Sequence, residues 1–259
     1  MMASRSTDPE TYQTVRAPIA VMAKDYAGET ESGTHAHARA QLVYATAGAV
    51  RVTTPVATWI VPPSCAVYIP PLVEHATATL GPVQLRTLYI AARLAKRSLS
   101  PEPRAVAVSA FLRELILRAL HVPLHDEPDA TARRIFGLIV DELRAQPALP
   151  LVLPVGGDAF DELCDGLLRD LARLPTVEAA ARRFNVSEKT FRRRFAEATG
   201  MTFGAWCRRA RVLASVARLG AGEAVTTVAL DLGYASPSAF TAMFRRELGA
   251  PPTRYLRSR

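Results

Sequence analysis

Residues 176–259 state one pattern twice, and an internal repeat constrains a fold more tightly than composition does. A shift of 49 residues lays Ser187 on Ser236, Phe191 on Phe240, Phe195 on Phe244, Gly200 on Gly249, Ala180 on Ala229 and Trp206 on Tyr255. In each copy a serine can turn its oxygen onto free main-chain N–H groups, and Pro237 suits a first helical position. Phenylalanines four apart then mark one buried helix face, and Gly200 and Gly249 are expected stops. A shorter apolar helix precedes each copy, at 177–184 and 225–232, with turns at Asn185 and Gly233. Short helix, tight turn and second helix with a polar outer face describe a helix-turn-helix, here present twice.

Charge shows what those outer faces suit. From Thr176 onward there are 15 Lys and Arg against 6 Asp and Glu, leaving 17 against 18 in the first 175 residues. A positive field confined to the duplicated region is the footprint expected for phosphate binding. With Gly233, Tyr234, Phe240, Phe244, Pro252 and Tyr255 also in place, residues 158–259 resemble the DNA-binding domain of the AraC/XylS family of bacterial transcription factors. The resemblance implies two helix-turn-helix units joined by one long helix, here 203–219. Trp206, Ala210, Leu213 and Ala217 would face inward, with Arg208, Arg209 and Arg218 outward. At ~1.5 Å per residue that helix spans about 25 Å, suited to two reading helices on successive major-groove faces about 34 Å apart.

With Phe191 and Phe195 inward, the helix wheel puts Lys189, Arg192, Arg193 and Ala196 on the opposite side. The resemblance makes Lys189, Arg192 and Arg193 the base-reading positions, and an arginine fork suits guanine O6 and N7. Ser187, Glu188 and Thr190 are expected to cap the helix or hold phosphate, and Arg194 to sit nearer the core edge. The second unit offers Ser236, Ser238, Thr241, Ala242 and Arg245, a poorer donor set suited to phosphate and weak base contacts.

Upstream, residues 14–98 alternate at strand period between Pro- and Gly-rich turns, with pairs such as Leu42/Tyr44, Val50/Val52, Trp59/Val61 and Leu88/Ile90. Many short strands predict a small barrel or jelly roll. His35, His37, Gln41 and Gly48, with Pro70 and His75, resemble the two sequence motifs of cupin barrels. That resemblance implies a site for a divalent transition metal (Ni, Zn, Fe or Cu) at His35, His37, Gln41 and His75, or a pocket for a small organic effector. Gln41 stands where the motif has Glu, and Leu72 where it has Gly. Histidines two apart point to one side of a strand, so chelation is geometrically sensible.

The expected fold class is therefore α+β: residues 1–13 disordered, a cupin-like sensor barrel over 14–98, and a helical subdomain over 99–146. A linker at 147–157 and the all-α double helix-turn-helix domain at 158–259 follow. Apolar stripes predict helices at 105–121 and 130–146, packed on the barrel or on a second copy. Three prolines and two glycines mark the linker, and 158–174 reads as the first helix of the last domain. No apolar run approaches the ~20 residues of a membrane span, and the first residues lack a signal-peptide core. Cys65, Cys164 and Cys207 form no close pair and suit buried thiols in a reducing, cytoplasmic setting. The function expected is DNA-binding transcriptional regulation without catalysis, controlled by an effector in the barrel. The partners expected are promoter DNA, RNA polymerase for an activator, and a second copy in a homodimer. The alternative is a metal-dependent cupin enzyme joined to a DNA-binding domain.

Overall fold

The computed structural model describes residues 6–63, 65–124, 127–146, 149, 152–154, 158–220, 222–248 and 250–257. Gly249, His125 and most of the linker lie outside them, and nothing is described of the Ala217 side chain. The chain forms two compact units, one from residues up to Thr54 and from Ile60 to the linker, the other from Pro55–Trp59 and from Val152 onward.

The first unit is antiparallel. Its strands are β1 (Ile19–Tyr26), β2 (Ala40–Ala47), β3 (Val50–Thr54), the last two residues of β4 (Ala57–Val61), β5 (Cys65–Ile69), β6 (Ala76–Thr79) and β7 (Val83–Ile90). Helix α1 (Ala92–Ser98) and strand β8 (Arg104–Ala107) follow, then helices α2 (Ala110–Ala119) and α3 (Ala130–Ala145). One sheet runs β1-β7-β2-β5-β8, and β3 pairs with β6 in a second. Leu42 and Tyr44 of β2 do not face the barrel interior; they join Leu112, Ile116, Phe136 and Ile139 in a core between the larger sheet and α2/α3. Gln41 and Val43, on the other face, line a cavity. Both faces of β2 are covered, which is why its first six residues are all buried.

Three expectations are corrected. The helix expected from Ala105 begins at Ala110, capped by Ser109, because residues 104–107 pair with β5 instead. Val108, expected in the helical stripe, is buried ahead of the helix, as Val106 is within the strand two residues before it. Part of the segment expected to be disordered up to residue 13 has structure: Asp8 caps a short 3₁₀ helix at Pro9–Tyr12. Tyr12 is buried, stacks on Tyr89 at 5.7 Å, and places its hydroxyl on the Ser6 carbonyl. Within the linker, β9 (Val152–Pro154) pairs with Ala57–Trp59.

The second unit holds α4 (Asp158–Arg169), α5 (Val177–Arg183), α6 (Glu188–Thr199), α7 (Phe203–Gly220), α8 (Val225–Asp231), α9 (Pro237–Leu248) and α10 (Pro252–Arg257). Helix α4 ends five residues before the expected Leu174. Aromatic rings from α4 to α7 (Phe160, Phe184, Phe191, Phe195, Phe203, Trp206) pack edge and face around α6. Around α9 the core is more aliphatic, with Val212, Val216, Val228 and Leu232 beside Phe240, Phe244 and Tyr255. Gly233 turns the chain at φ +78, and a Cβ there would come within 2.7 Å of the Ala172 carbonyl oxygen. Asn185 makes the matching turn at φ +52, a conformation that Asn tolerates better than most residues.

Candidate nucleic-acid interface and sensor site

Helix α6 starts as its sequence directs. Ser187 Oγ accepts the Thr190 N–H at 3.2 Å and lies 3.0 Å from Thr190 Oγ1, so both hydroxyls serve the helix start. Gly200 closes the helix at φ +68. Phe191 and Phe195 are fully buried, while Lys189, Arg192 and Arg193 are exposed on the other side. Arg194, expected at the core edge, is exposed as well, because only positions 191 and 195 meet the aromatic cluster. The cations are held by their own helix: Arg192 pairs with Glu188 at 3.1 Å and Arg193 with Glu197 at 3.2 Å. Exposed i,i+4 pairs are worth about 0.3–0.5 kcal/mol, so little free energy ties these guanidinium groups to their own helix.

Helix α9 repeats the geometry with a different face. Ser236 Oγ accepts the Ala239 N–H at 3.2 Å, and Phe240 and Phe244 are buried. Ser238, Ala242 and Arg245 are exposed and Thr241 is half-buried. In α7, Trp206, Ala210 and Leu213 are buried as expected, with the Trp206 indole donating to the Pro154 carbonyl at 2.9 Å. Arg218 reaches Asp231 at 2.6 Å and also pairs with Glu223, tying α7 to α8. Arg208 lies 3.6 Å from Glu247.

In the first unit the two histidine segments are brought together by main-chain bonds. His35 and His75 exchange N–H···O bonds of 3.0 and 2.9 Å, and the Leu72 N–H donates to the His37 carbonyl at 3.0 Å. Leu72 sits at φ +66, a left-handed conformation that glycine adopts without strain. Gly48 holds φ +76 where a Cβ would collide with the Pro82 carbonyl oxygen. The rings of His35, His37 and His75 lie 4.4–5.8 Å apart, and one nitrogen from each falls within 4.8 Å of the others. Gln41 Oε1 joins them, 2.9 Å from His75 Nε2 and 3.2 Å from His37 Nε2. All four expected positions thus converge.

Each imidazole also sets Nδ1 against a carbonyl oxygen two residues away: His35 on Gly33, His37 on Arg39 and His75 on Val73, at 2.8, 2.6 and 2.9 Å. A neutral imidazole carries one N–H, and a carbonyl only accepts, so the proton belongs on Nδ1 and the Nε2 lone pairs point inward. Burial pulls His75 down to about 4, which keeps it neutral at neutral pH. Three inward lone pairs and an amide oxygen form a donor set suited to a divalent transition metal. No carboxylate belongs to the cluster among the described residues.

Three neighbours escaped sequence reading. Thr87, fully buried, accepts the Gln41 amide N–H at 2.9 Å and donates to the Leu42 carbonyl at 3.1 Å. Tyr89 meets His37 edge-on at 5.5 Å. Arg39 is buried and donates to the carbonyls of Val15, Ala17, Pro18 and Tyr89; burial lowers it to about 10. Only the strand pairing brings these groups together, so no local signal marked them. Beside Gln41 lies a cavity of about 210 Å³ lined by Lys24, Tyr26, Ser32, Val43 and Leu85 among others.

Comparison with known proteins gives these sites a context. A family model described as an AraC-like ligand binding domain matches residues 18–151, and one described as a helix-turn-helix domain matches residues 180–258. Over 238 residues the chain is 31% identical to the HTH-type transcriptional regulator NimR of Escherichia coli (strain K12), covering 88% of this chain and 83% of that protein. It is 31% identical over 80 residues to the regulatory protein SoxS of Salmonella typhimurium (strain LT2), covering 30% of this chain and 75% of that one. Among solved structures, ToxT from Vibrio cholerae aligns over 92% of this chain and 98% of its own, at 11% identity and a TM-score of 0.39. No helix among the described residues is long and apolar enough to cross a membrane. The chain belongs to the AraC/XylS family of transcriptional regulators, with a cupin-like ligand-binding domain followed by a helix-turn-helix DNA-binding domain.

Proposed function

We propose that the protein is a cytoplasmic, non-enzymatic regulator that reads promoter DNA with α6 and senses a divalent transition metal in its cupin-like domain. The convergence of three imidazole nitrogens and the Gln41 oxygen supports the metal assignment. His35, His37 and His75 would ligate through Nε2, with Gln41 Oε1 as the fourth protein ligand. Bound there, the ion supplies a divalent charge whose differential affinity for two states of the protein would shift their populations. The cavity beside Gln41 supports a second reading, a small organic effector: its lining is part apolar and part polar, and Glu31 there lies 3.7 Å from Arg51. Both readings keep the protein a regulator.

On DNA, Lys189, Arg192 and Arg193 are the base-reading side chains, with Ser187 and Thr190 at the helix start near phosphate. Ser236, Ser238, Thr241, Ala242 and Arg245 make the weaker contacts of the second unit. Phe111 and Leu138, exposed on α2 and α3, support self-association through that helical pair. For an activator the remaining partner is RNA polymerase.

Two measurements test the reading. Selection from random DNA is expected to return one salt-resistant site for the wild type and only non-specific binding for Lys189→Ala/Arg192→Ala/Arg193→Ala. The same site at the same affinity in the variant would move the reading face elsewhere. Metal content of protein purified without chelator should be about one ion per chain and fall away in His35→Ala/His37→Ala. Equal trace amounts in both would leave the organic effector.

A further inference from the structure

Gln41 sets this site apart from one built on a carboxylate. Its amide nitrogen lies on Thr87 Oγ1, and its oxygen faces the inward lone pairs of His37 and His75. Oxygen against two lone pairs is repulsive unless a cation sits among them. A half-turn of the amide exchanges oxygen and nitrogen with almost no change in atomic positions. The NH₂ group then donates one proton to each of the two Nε2 atoms, and the Thr87 hydroxyl turns its single proton from the Leu42 carbonyl onto the Gln41 oxygen. Two arrangements of the same atoms therefore satisfy the site, one with a cation and one without.

We propose that Gln41 makes this a reversible metal site: its amide donates to His37 and His75 when no ion is held and turns its oxygen inward as a ligand when one is. The proposal rests on the metal reading above. A carboxylate at position 41 could only accept, and in an ion-free site it would set a buried negative charge against the imidazole lone pairs. Such a site needs its ion, or a proton, to remain folded. The amide removes that demand. The emptied cluster stays hydrogen-bonded, so the free energy of metal binding is not consumed in holding the barrel together and remains available to bias a conformational equilibrium. Thr87 is the positioning partner, because a hydroxyl is the side-chain group that can both accept from and donate to the turning amide.

The test uses ¹⁵N-labelled full-length protein, chelator-treated and then titrated with Zn²⁺, beside Gln41→Glu and His35→Ala/His37→Ala. In chelator, the His37 and His75 rings should show the Nδ1–H tautomer with Nε2 accepting a hydrogen bond, and the Gln41 side-chain amide protons should be protected from exchange. Zn²⁺ should shift all three Nε2 resonances and the Gln41 side-chain amide resonances, as the NH₂ group passes from the imidazoles to Thr87. The wild type should keep a cooperative melt in chelator, and the ion should raise its Tm only by the amount that its affinity and concentration impose. Gln41→Glu should bind Zn²⁺ roughly tenfold more tightly or better, since ligand charge tunes divalent affinity, and lose stability in chelator. Zn²⁺ binding with an unchanged Gln41 amide, or a Gln41→Glu variant that binds no more tightly, would overturn the amide switch and leave the metal reading standing. Failure of the wild type to bind more Zn²⁺ than His35→Ala/His37→Ala would overturn both. The wild-type spectra decide the matter even if Gln41→Glu does not fold without metal.

Discussion

Helices α6 and α9 are two versions of one part, alike inside and different outside. Each begins on a serine cap and buries two phenylalanines four apart. On the outer face, Lys189, Arg192 and Arg193 correspond to Ser238, Thr241 and Ala242, while Ala196 corresponds to Arg245. Where α6 has Glu188 and Glu197 paired to its arginines, α9 has Pro237 and Arg246. The difference shows which positions a fold controls. Buried positions answer to packing, which is the same in both copies, and outward positions answer to whatever the helix meets.

That comparison can be broken at its base. Phe191→Ala and Phe240→Ala should each destabilise by about 3–5 kcal/mol, measured by urea unfolding, because both rings are fully buried. A near-neutral result at either would mean that the cores are not equivalent. It can be sharpened on the outer face: Arg193→Ala should lose about 1–3 kcal/mol of specific DNA binding and relax the choice at one or two base pairs. Arg245→Ala should weaken binding alike on all sequences and lower the salt slope by about one. Altered base preference in the second variant would make α9 a reader too. The caps come next, with Ser187→Ala and Ser236→Ala each reducing thermal stability by about 1 kcal/mol. The smallest effect is expected from Glu197→Gln, which frees Arg193 from a pair worth about 0.3–0.5 kcal/mol. DNA affinity should rise by no more than about twofold, and a fall would mean that Glu197 orients Arg193 rather than competing for it.

Much of the second unit was legible because its signals are local. A serine cap acts within three residues, a phenylalanine pair within four, and a stop glycine at its own φ angle, so the pattern reads directly as helices. The turns at Asn185 and Gly233 were legible for the same reason. The β-rich unit was harder. Residues 104–108 suit a helix stripe and a strand equally, and the open edge of β5 decided for strand. Leu42 and Tyr44 alternate as expected, yet which face of the sheet they occupy depends on α2 and α3, more than 60 residues away.

The sequence alone determined the duplicated helix-turn-helix, the confinement of positive charge to it, and the identities of the four residues that converge in the histidine–glutamine cluster. Tertiary structure decided that His35 and His75 are bridged, that Thr87 holds the Gln41 amide, and that each imidazole commits Nδ1 to a main-chain carbonyl. The physical reason is range. Helix periodicity and capping are written over a few neighbouring residues, whereas proton positions at a buried site depend on partners that strand register brings together from 34 to 46 residues apart.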